Sequence, residues 1–173
     1  MQPELKHNIF LTGFMGAGKS SVGRVLAALL KCSFADLDEM IVQREGRSIT
    51  EIFAVDGEDY FRDCETAILN KLSHQQAVAV YSTGGGLVIR EENRRQMRRL
   101  GCIVYLKASW PTLMMRLQKS VDRPLVTPER DWHKLKDLWI RRQVFYADAD
   151  IVVDTDGHEP LHVAQEIVAG LKP

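Results

Sequence analysis

The sequence predicts a layered α/β fold built on a parallel sheet, and three observations carry that prediction. Short apolar runs of strand length alternate with segments of helical periodicity along the chain. The runs are nearly continuous in apolar character, as strands covered on both faces must be. No repeat, low-complexity tract or Pro/Gly/Ser linker divides the sequence, so residues 1–173 read as one domain.

Asn8 to Thr12 is the first expected strand. Val22, Val25, Leu26, Leu29 and Leu30 then follow the i, i+3, i+4, i+7, i+8 spacing of a helix with one buried face. Ser33 to Asp36 is a brief second strand, followed by helical patterns from about Asp38 to Glu45 and from Ser48 onward. Ser48-Ile49-Thr50-Glu51 fits a capping box, in which hydroxyl and carboxylate each satisfy a free backbone N–H. Tyr60 to Leu72 reads as a helix. Ala77 to Ser82, Cys102 to Lys107 and Asp150 to Asp154 are the remaining strands. Helices over Glu91 to Leu100, Pro111 to Gln118, Asp131 to Tyr146 and Pro160 to Leu171 separate or follow them. Alternation of this kind implies right-handed crossovers, with ligands gathering at the carboxyl ends of the strands.

Composition narrows the function classes. Lys plus Arg and Asp plus Glu each number 23, so no global field draws the chain onto nucleic acid or anionic lipid, and anion recognition must be local. Cys32, Cys64 and Cys102 are too few and too scattered for a disulfide framework, which points to a reducing cytoplasm. No apolar run approaches the roughly 20 residues that span a bilayer, and Met1 to Asn8 lacks the apolar stretch of a signal peptide. Partners expected on these grounds are small molecules, with no nucleic acid and no membrane; a monomer is expected, though nothing in the composition sets that state.

Gly13-Phe14-Met15-Gly16-Ala17-Gly18-Lys19-Ser20 matches GxxxxGK[ST] between an expected strand and an expected helix, the context in which that motif binds nucleotide phosphates. Its glycines let backbone N–H groups close on phosphate oxygens, and the helix start adds its positive dipole end. Lys19 would bridge the β- and γ-phosphates of ATP or GTP, and the Ser20 hydroxyl would ligate Mg²⁺. A solvated lysine on a Gly-rich turn is the alternative, and the strand and helix context disfavours it.

The acceptor side is less explicit. Asp36-Leu37-Asp38 leaves the second strand with both carboxylates expected on one side of the chain, one for Mg²⁺-bound water and one for a hydroxyl acceptor. The alternative is that Asp38 only caps the next helix. Arg62 and Glu65, three apart on a helix, read by themselves as a solvated ion pair. Thr83-Gly84-Gly85-Gly86 after a buried strand suits close approach of a ligand to bare backbone. Arg116, Arg123-Pro124-Leu125 and Arg141-Arg142 complete the basic set, and the irregular stretch from Lys119 to Arg130 is the candidate for a mobile lid that excludes water.

Taken in order, these segments resemble the shikimate kinase family, a nucleoside-monophosphate-kinase-like group of P-loop proteins. The resemblance runs from about Ile9 to Pro160. It rests on the phosphate loop, Asp36-Leu37-Asp38, Ile52-Phe53 with Gly57-Glu58, Phe61-Arg62 with Glu65, Gly84-Gly85-Gly86, and Arg123-Pro124-Leu125. It implies a three-layer α/β/α P-loop fold with a five-stranded parallel sheet in the order 2-3-1-4-5, a lid at about 119–130 and substrate-binding helices at about 38–73. The activity it implies is Mg²⁺-dependent transfer of phosphate from ATP to the 3-hydroxyl of shikimate, a step toward the aromatic amino acids.

The same resemblance assigns roles. Gly16, Ala17, Gly18, Lys19, Ser20 and Ser21 would hold the nucleotide phosphates, with Arg116 against the adenine and Pro160 also contacting the nucleotide. Ser20 and, through water, Asp36 would hold Mg²⁺. Asp38 would meet the acceptor hydroxyl as candidate base, Arg62 and Arg142 would grip the substrate carboxylate, and Gly84, Gly85 and Gly86 would contact ring hydroxyls. Arg123 would descend with the lid. Paired guanidinium groups suit a carboxylate, which accepts two parallel hydrogen bonds from each. The family often shows Arg-x-Pro-x-Tyr before the last strand, whereas this chain has Arg142-Gln143-Val144-Phe145-Tyr146 beside Arg141, so the register leaves Arg141 open. A gluconate-type kinase leaves Arg62, Glu65 and the triple glycine unexplained. A GTP-binding switch expects NKxD, and Asn70-Lys71-Leu72-Ser73 lacks the Asp.

Overall fold

The structure is a computed structural model that describes residues 7–72, 77–119 and 131–171. Five strands, β1 (Asn8–Thr12), β2 (Ser33–Asp36), β3 (Ala79–Ser82), β4 (Gly101–Lys107) and β5 (Ile151–Asp154), pair in parallel in the order β2-β3-β1-β4-β5. The helices are α1 (Lys19–Leu30), α2 (Leu37–Glu45), α3 (Ile49–Val55), α4 (Gly57–Leu72), α5 (Glu91–Leu100), α6 (Trp110–Lys119), α7 (Trp132–Tyr146) and α8 (Pro160–Gly170). A single 3₁₀ turn, Leu87–Ile89, follows β3.

β1 lies at the centre of the sheet with β3 and β4 as neighbours, and Ile9, Phe10 and Leu11 are wholly buried on both of its faces. That is why its sequence is a continuous apolar run. The connection from β1 to β2 crosses the sheet in one direction and the connection from β3 to β4 in the other. Right-handed crossovers therefore put α1 on one face and α5 on the opposite one. α8 packs beside α1, and α4 beside α5, giving the three layers. The carboxyl ends of β1, β2 and β3 open on one edge, where the phosphate motif, the Asp36-Leu37-Asp38 segment and the triple glycine emerge together.

Several boundaries differ from the sequence reading. α2 starts at Leu37, because Asp36 is itself the N-cap and accepts from the backbone N–H of Asp38 and Glu39. Helical geometry thus replaces strand alternation beyond Asp36, and the cap is not Asp38. α4 begins a turn before Tyr60, in the polar segment Gly57-Glu58-Asp59 that apolar periodicity does not register, and acidic residues there complement the helix dipole. β3 begins at Ala79 rather than Ala77, opposite Ser33, the first residue of β2, and its next residue Val80 lies opposite Ile9 of β1; Ala79 N–H donates to Asn8 Oδ1. Asp131 caps α7 instead of belonging to it. The Ser48–Glu51 capping box is present as expected, with reciprocal side-chain to backbone bonds worth on the order of 1 kcal/mol. Apart from Lys119 at the end of α6, the segment expected as a lid, including Arg123, lies outside the described residues. Among the described residues no helix is long and apolar enough to cross a membrane, and Cys32, Cys64 and Cys102 are free thiols.

Candidate active site

The loop between β1 and α1 takes its shape from glycine. Gly13 has φ +143°, and a Cβ there would stand 2.7 Å from the Leu106 carbonyl oxygen, so only a bare Cα passes between β1 and β4. Gly18, at φ +94°, ends the loop as the N-cap of α1 with no side-chain cap, which leaves the first-turn N–H groups directed at the loop interior. Lys19 is buried, and its ammonium donates to the carbonyls of Gly13 at 2.8 Å and Phe14 at 3.0 Å. Its charge is thereby held over the concave side of the loop. Ser21 follows in the first turn of α1 and is exposed.

Beside this loop three oxygen-bearing side chains meet across the sheet edge. Ser20 Oγ donates to Asp36 Oδ2 at 3.0 Å and lies 3.5 Å from Ser82 Oγ at the end of β3. A hydroxyl–carboxylate–hydroxyl set is hard-oxygen chemistry. Such a set suits Mg²⁺, which takes one or two protein oxygens and fills its octahedron with water and phosphate. Ser82 was not visible as a candidate in the sequence. Only the pairing of β3 between β1 and β2 brings it to Ser20.

The acceptor side is organised around Gly84, Gly85 and Gly86. A Cβ on Gly84 would lie 2.6 Å from Asp38 Oδ1 and 2.9 Å from Glu65 Oε1. On Gly85 it would lie 3.5 Å from Arg142 Nη1, 3.6 Å from Tyr146 Oη and 3.7 Å from the Gly13 carbonyl oxygen. On Gly86 it would overlap the Arg62 guanidinium. Each glycine thus lets a different functional side chain approach the same stretch of backbone, and the middle one abuts the phosphate loop. The side chains expected at the acceptor thus gather about the glycine loop in one cluster that adjoins the phosphate loop through Gly85 and Gly13.

Within it, Arg62 Nη1 donates to Glu65 Oε2 at 2.7 Å, while Arg62 Nη2 reaches Glu58 Oε1 at 2.9 Å. The expectation of a solvated pair is corrected here: the Arg62 side chain is 10% exposed and that of Glu65 1%. Burial pushes the Glu65 carboxyl up to about 7; Arg62 opposes the rise and Asp38 adds to it. Arg142 is buried on the last turns of α7, whereas Arg141 faces outward. The Tyr146 hydroxyl donates to the Gly85 carbonyl at 2.5 Å, and its ring stacks on Tyr105 of β4 at 5.3 Å, fixing that turn. Glu65 Oε1 and Arg142 Nε are buried and lack hydrogen-bond partners among the described residues. A buried acceptor and a buried cationic donor left in this way are costly unless a polar ligand meets them.

At the opposite end, Arg116 donates to the carbonyls of Gly16 and Ala17 at 3.3 Å, to Thr155 Oγ1 at 3.1 Å and to the Thr155 carbonyl at 2.8 Å. It ties the phosphate loop to the segment after β5 that leads into Pro160, the first residue of α8. Arg116 therefore lies against the phosphate loop, while Pro160 starts the helix that follows this segment.

A five-stranded parallel sheet in this order, with a phosphate loop on its central strand and two buried arginines beside the glycine loop one strand away, defines a P-loop kinase of the small-molecule type. Comparison with known proteins narrows the class. The shikimate kinase family model matches residues 15–172. A shikimate kinase of Geobacter metallireducens is 44% identical over 170 residues, covering 98% of this chain and 94% of that protein. One of Chromohalobacter salexigens is 45% identical over 165 residues, covering 95% and 91%. The solved structure of shikimate kinase from Acinetobacter baumannii in complex with shikimate matches with a TM-score of 0.86 at 37% identity, covering 95% of this chain and 92% of that one. This chain belongs to the shikimate kinase family.

Proposed function

We propose that the protein transfers the γ-phosphate of ATP to the 3-hydroxyl of shikimate, giving shikimate 3-phosphate and ADP. The observation that carries this reading is the triple glycine, whose three positions adjoin Asp38 with Glu65, Arg142 with the phosphate loop, and Arg62. A cleft with two buried guanidinium groups at one end and a phosphate loop at the other suits a small carboxylic acid bearing hydroxyls.

In the reaction the substrate O3–Pγ bond forms while the bond from Pγ to the β–γ bridging oxygen breaks, and the hydroxyl proton leaves toward Asp38 or solvent. Arg62 and Arg142 hold the carboxylate, and the Gly84 to Gly86 backbone contacts the ring hydroxyls. The hydroxyl nearest Asp38 then faces the phosphate loop. Positioning of this kind supplies much of the rate, because phosphoryl transfer passes through a loose transition state that needs little covalent help. Asp38 serves either as base or as a hydroxyl orienter on that account. Lys19 and the α1 N-terminus stabilise charge on the phosphate oxygens. Ser20 and, through water, Asp36 would hold Mg²⁺, which would supply charge neutralisation at the phosphates. Ser82 is placed to join that set. Ser21 with Gly16, Ala17 and Gly18 belongs to the phosphate cradle, and Arg116 and Pro160 take the adenine. The chain forms one kinase domain over 1–173, monomeric and cytoplasmic, with helices at 38–73 taking the substrate.

The test is coupled-enzyme detection of ADP from purified protein with Mg²⁺-ATP and one acceptor at a time. Release is expected with shikimate and not with gluconate or AMP. Equal rates with all three, or release indifferent to the acceptor, would remove the proposal.

A further inference from the structure

The 3₁₀ turn Leu87–Ile89 continues directly from the triple glycine, and its carbonyls are not left to solvent. Asn93 Nδ2 donates to the Leu87 carbonyl at 3.1 Å, and Arg94 Nη1 donates to those of Val88 at 2.6 Å and Ile89 at 3.0 Å. Two adjacent side chains in the first turns of α5 therefore hold three successive carbonyls of the loop.

Each of the two then reaches a different arginine of the acceptor pocket. Asn93 is 1% exposed, and its Oδ1 lies 2.9 Å from the Thr66 hydroxyl, which is also 3.1 Å from the Arg62 carbonyl. The single Thr66 proton serves one or other acceptor and keeps this turn of α4 against α5. Arg94 Nε pairs with Asp148 Oδ2 at 3.2 Å, just beyond α7, and its guanidinium lies over the Phe145 ring at 5.2 Å. Arg98 also pairs with Asp148, securing the same carboxylate. Phe145 sits between Arg142 and Tyr146 on α7, and Tyr146 returns to Gly85.

Two closed paths result, each made of side-chain contacts joined by short stretches of backbone. One runs from Gly86 through Leu87, Asn93, Thr66 and Arg62, whose guanidinium returns to Gly86. The other runs from Gly85 along the backbone to Val88, through Arg94 to Asp148, and back along the chain to Tyr146 and so to Gly85, which Arg142 also adjoins. A closed ring resists displacement better than an open chain of bonds, because no member moves without stretching another. Neither Asn93 nor Arg94 has a direct place among the substrate contacts proposed above.

We infer that Asn93 and Arg94 are positioning residues that set the spacing of Arg62 and Arg142 about the glycine loop, and through it the affinity for the carboxylated substrate. The inference rests on the carboxylate assignment made under the proposed function. A guanidinium displaced by even a fraction of an ångström loses one of its two parallel bonds to a carboxylate, so the effect falls on substrate binding.

Steady-state kinetics of Asn93→Ala, Arg94→Met and Arg94→Lys test it, with KM for shikimate and for ATP measured alongside the thermal midpoint. Asn93→Ala and Arg94→Met are expected to raise KM for shikimate about tenfold and to leave KM for ATP within about twofold. Arg94→Lys, which keeps the charge toward Asp148 and is the milder change should Arg94→Met fail to fold, is expected to recover part of that loss. In an Arg142→Ala background, Arg94→Met should add less than about twofold, since the residue it positions is already gone. Unchanged KM for shikimate in the single variants overturns the inference. So does a parallel rise in both KM values with a lowered thermal midpoint, which marks general loosening. Arg142→Ala alone reports on the underlying reading: if it leaves KM for shikimate unchanged, the carboxylate assignment fails first and the inference falls with it.

Discussion

Arg62 Nη1 and Glu65 Oε2 stand 2.7 Å apart on one turn of α4, with the carboxylate almost wholly buried and its second oxygen beside Gly84 and Asp38. The pair is therefore part of the cleft floor and not a surface ornament. Its charge state depends on pH in the range where the enzyme would work.

The Glu65 carboxyl is pushed up to about 7 by burial, well above its ordinary value of 4.5. The folded protein then binds a proton more tightly than the unfolded chain between those values. Its contribution to stability is present at low pH and is lost as pH rises through that window, the reverse of an ordinary salt-bridged carboxylate. Thermal midpoints taken from about pH 5 to pH 8 should fall with a shallower slope in Glu65→Gln than in the parent protein. Identical slopes would mean that another group governs this range.

Arg62→Ala and Arg142→Ala should each raise KM for shikimate by roughly a hundredfold, the loss expected for a charge-assisted hydrogen-bonded pair, with ATP affinity nearly intact. Arg141→Ala should change neither constant, since Arg141 faces solvent. Calorimetric titration of both ligands decides the matter, and a loss in Arg141→Ala equal to that in Arg142→Ala would reverse the assignment.

Asp38→Asn should lower kcat by about a hundredfold or more while KM for shikimate moves by no more than a few-fold, because the amide keeps the contact but neither accepts a proton nor carries charge. Rapid-quench measurement of a single turnover separates this from slow product release. A parent-like burst in the variant would take Asp38 out of the chemical step.

Gly84→Ala should abolish shikimate binding with nucleotide binding retained. The added Cβ would meet Asp38 Oδ1 at 2.6 Å and Glu65 Oε1 at 2.9 Å, closer than real Cβ contacts come, and both carboxylates would have to shift. Gly13→Ala is a different case. There the obstacle is backbone, the Leu106 carbonyl at 2.7 Å, at φ +143°, and the expected result is a loss of about 2 to 4 kcal/mol of stability in urea unfolding. Normal shikimate affinity in Gly84→Ala would show that the loop moves aside more easily than this packing implies.

Much of the molecule can be read without coordinates, because local chemistry dictates it. The strand-to-helix switch across Gly13 to Ser20, the Ser48–Glu51 capping box and the apolar runs of β1 and β4 each depend on residues adjacent in the chain, and their elements form where expected. The strand order came from resemblance to a family and could not have come from periodicity. Tertiary structure alone decided the rest. Arg62 and Glu65 look like a solvated pair until α4 is laid over the glycine loop, and Ser82 acquires a partner in Ser20 only when β3 inserts between β1 and β2. Arg142 differs from Arg141 solely in the direction that α7 turns it. The same holds for Asn93 and Arg94, ordinary polar residues at the start of a helix until their donors are seen on the Leu87, Val88 and Ile89 carbonyls. Periodicity and capping report on neighbours a turn away, whereas burial, pairing and closeness of approach are set by segments up to about a hundred residues apart, and those distances exist only in the folded chain.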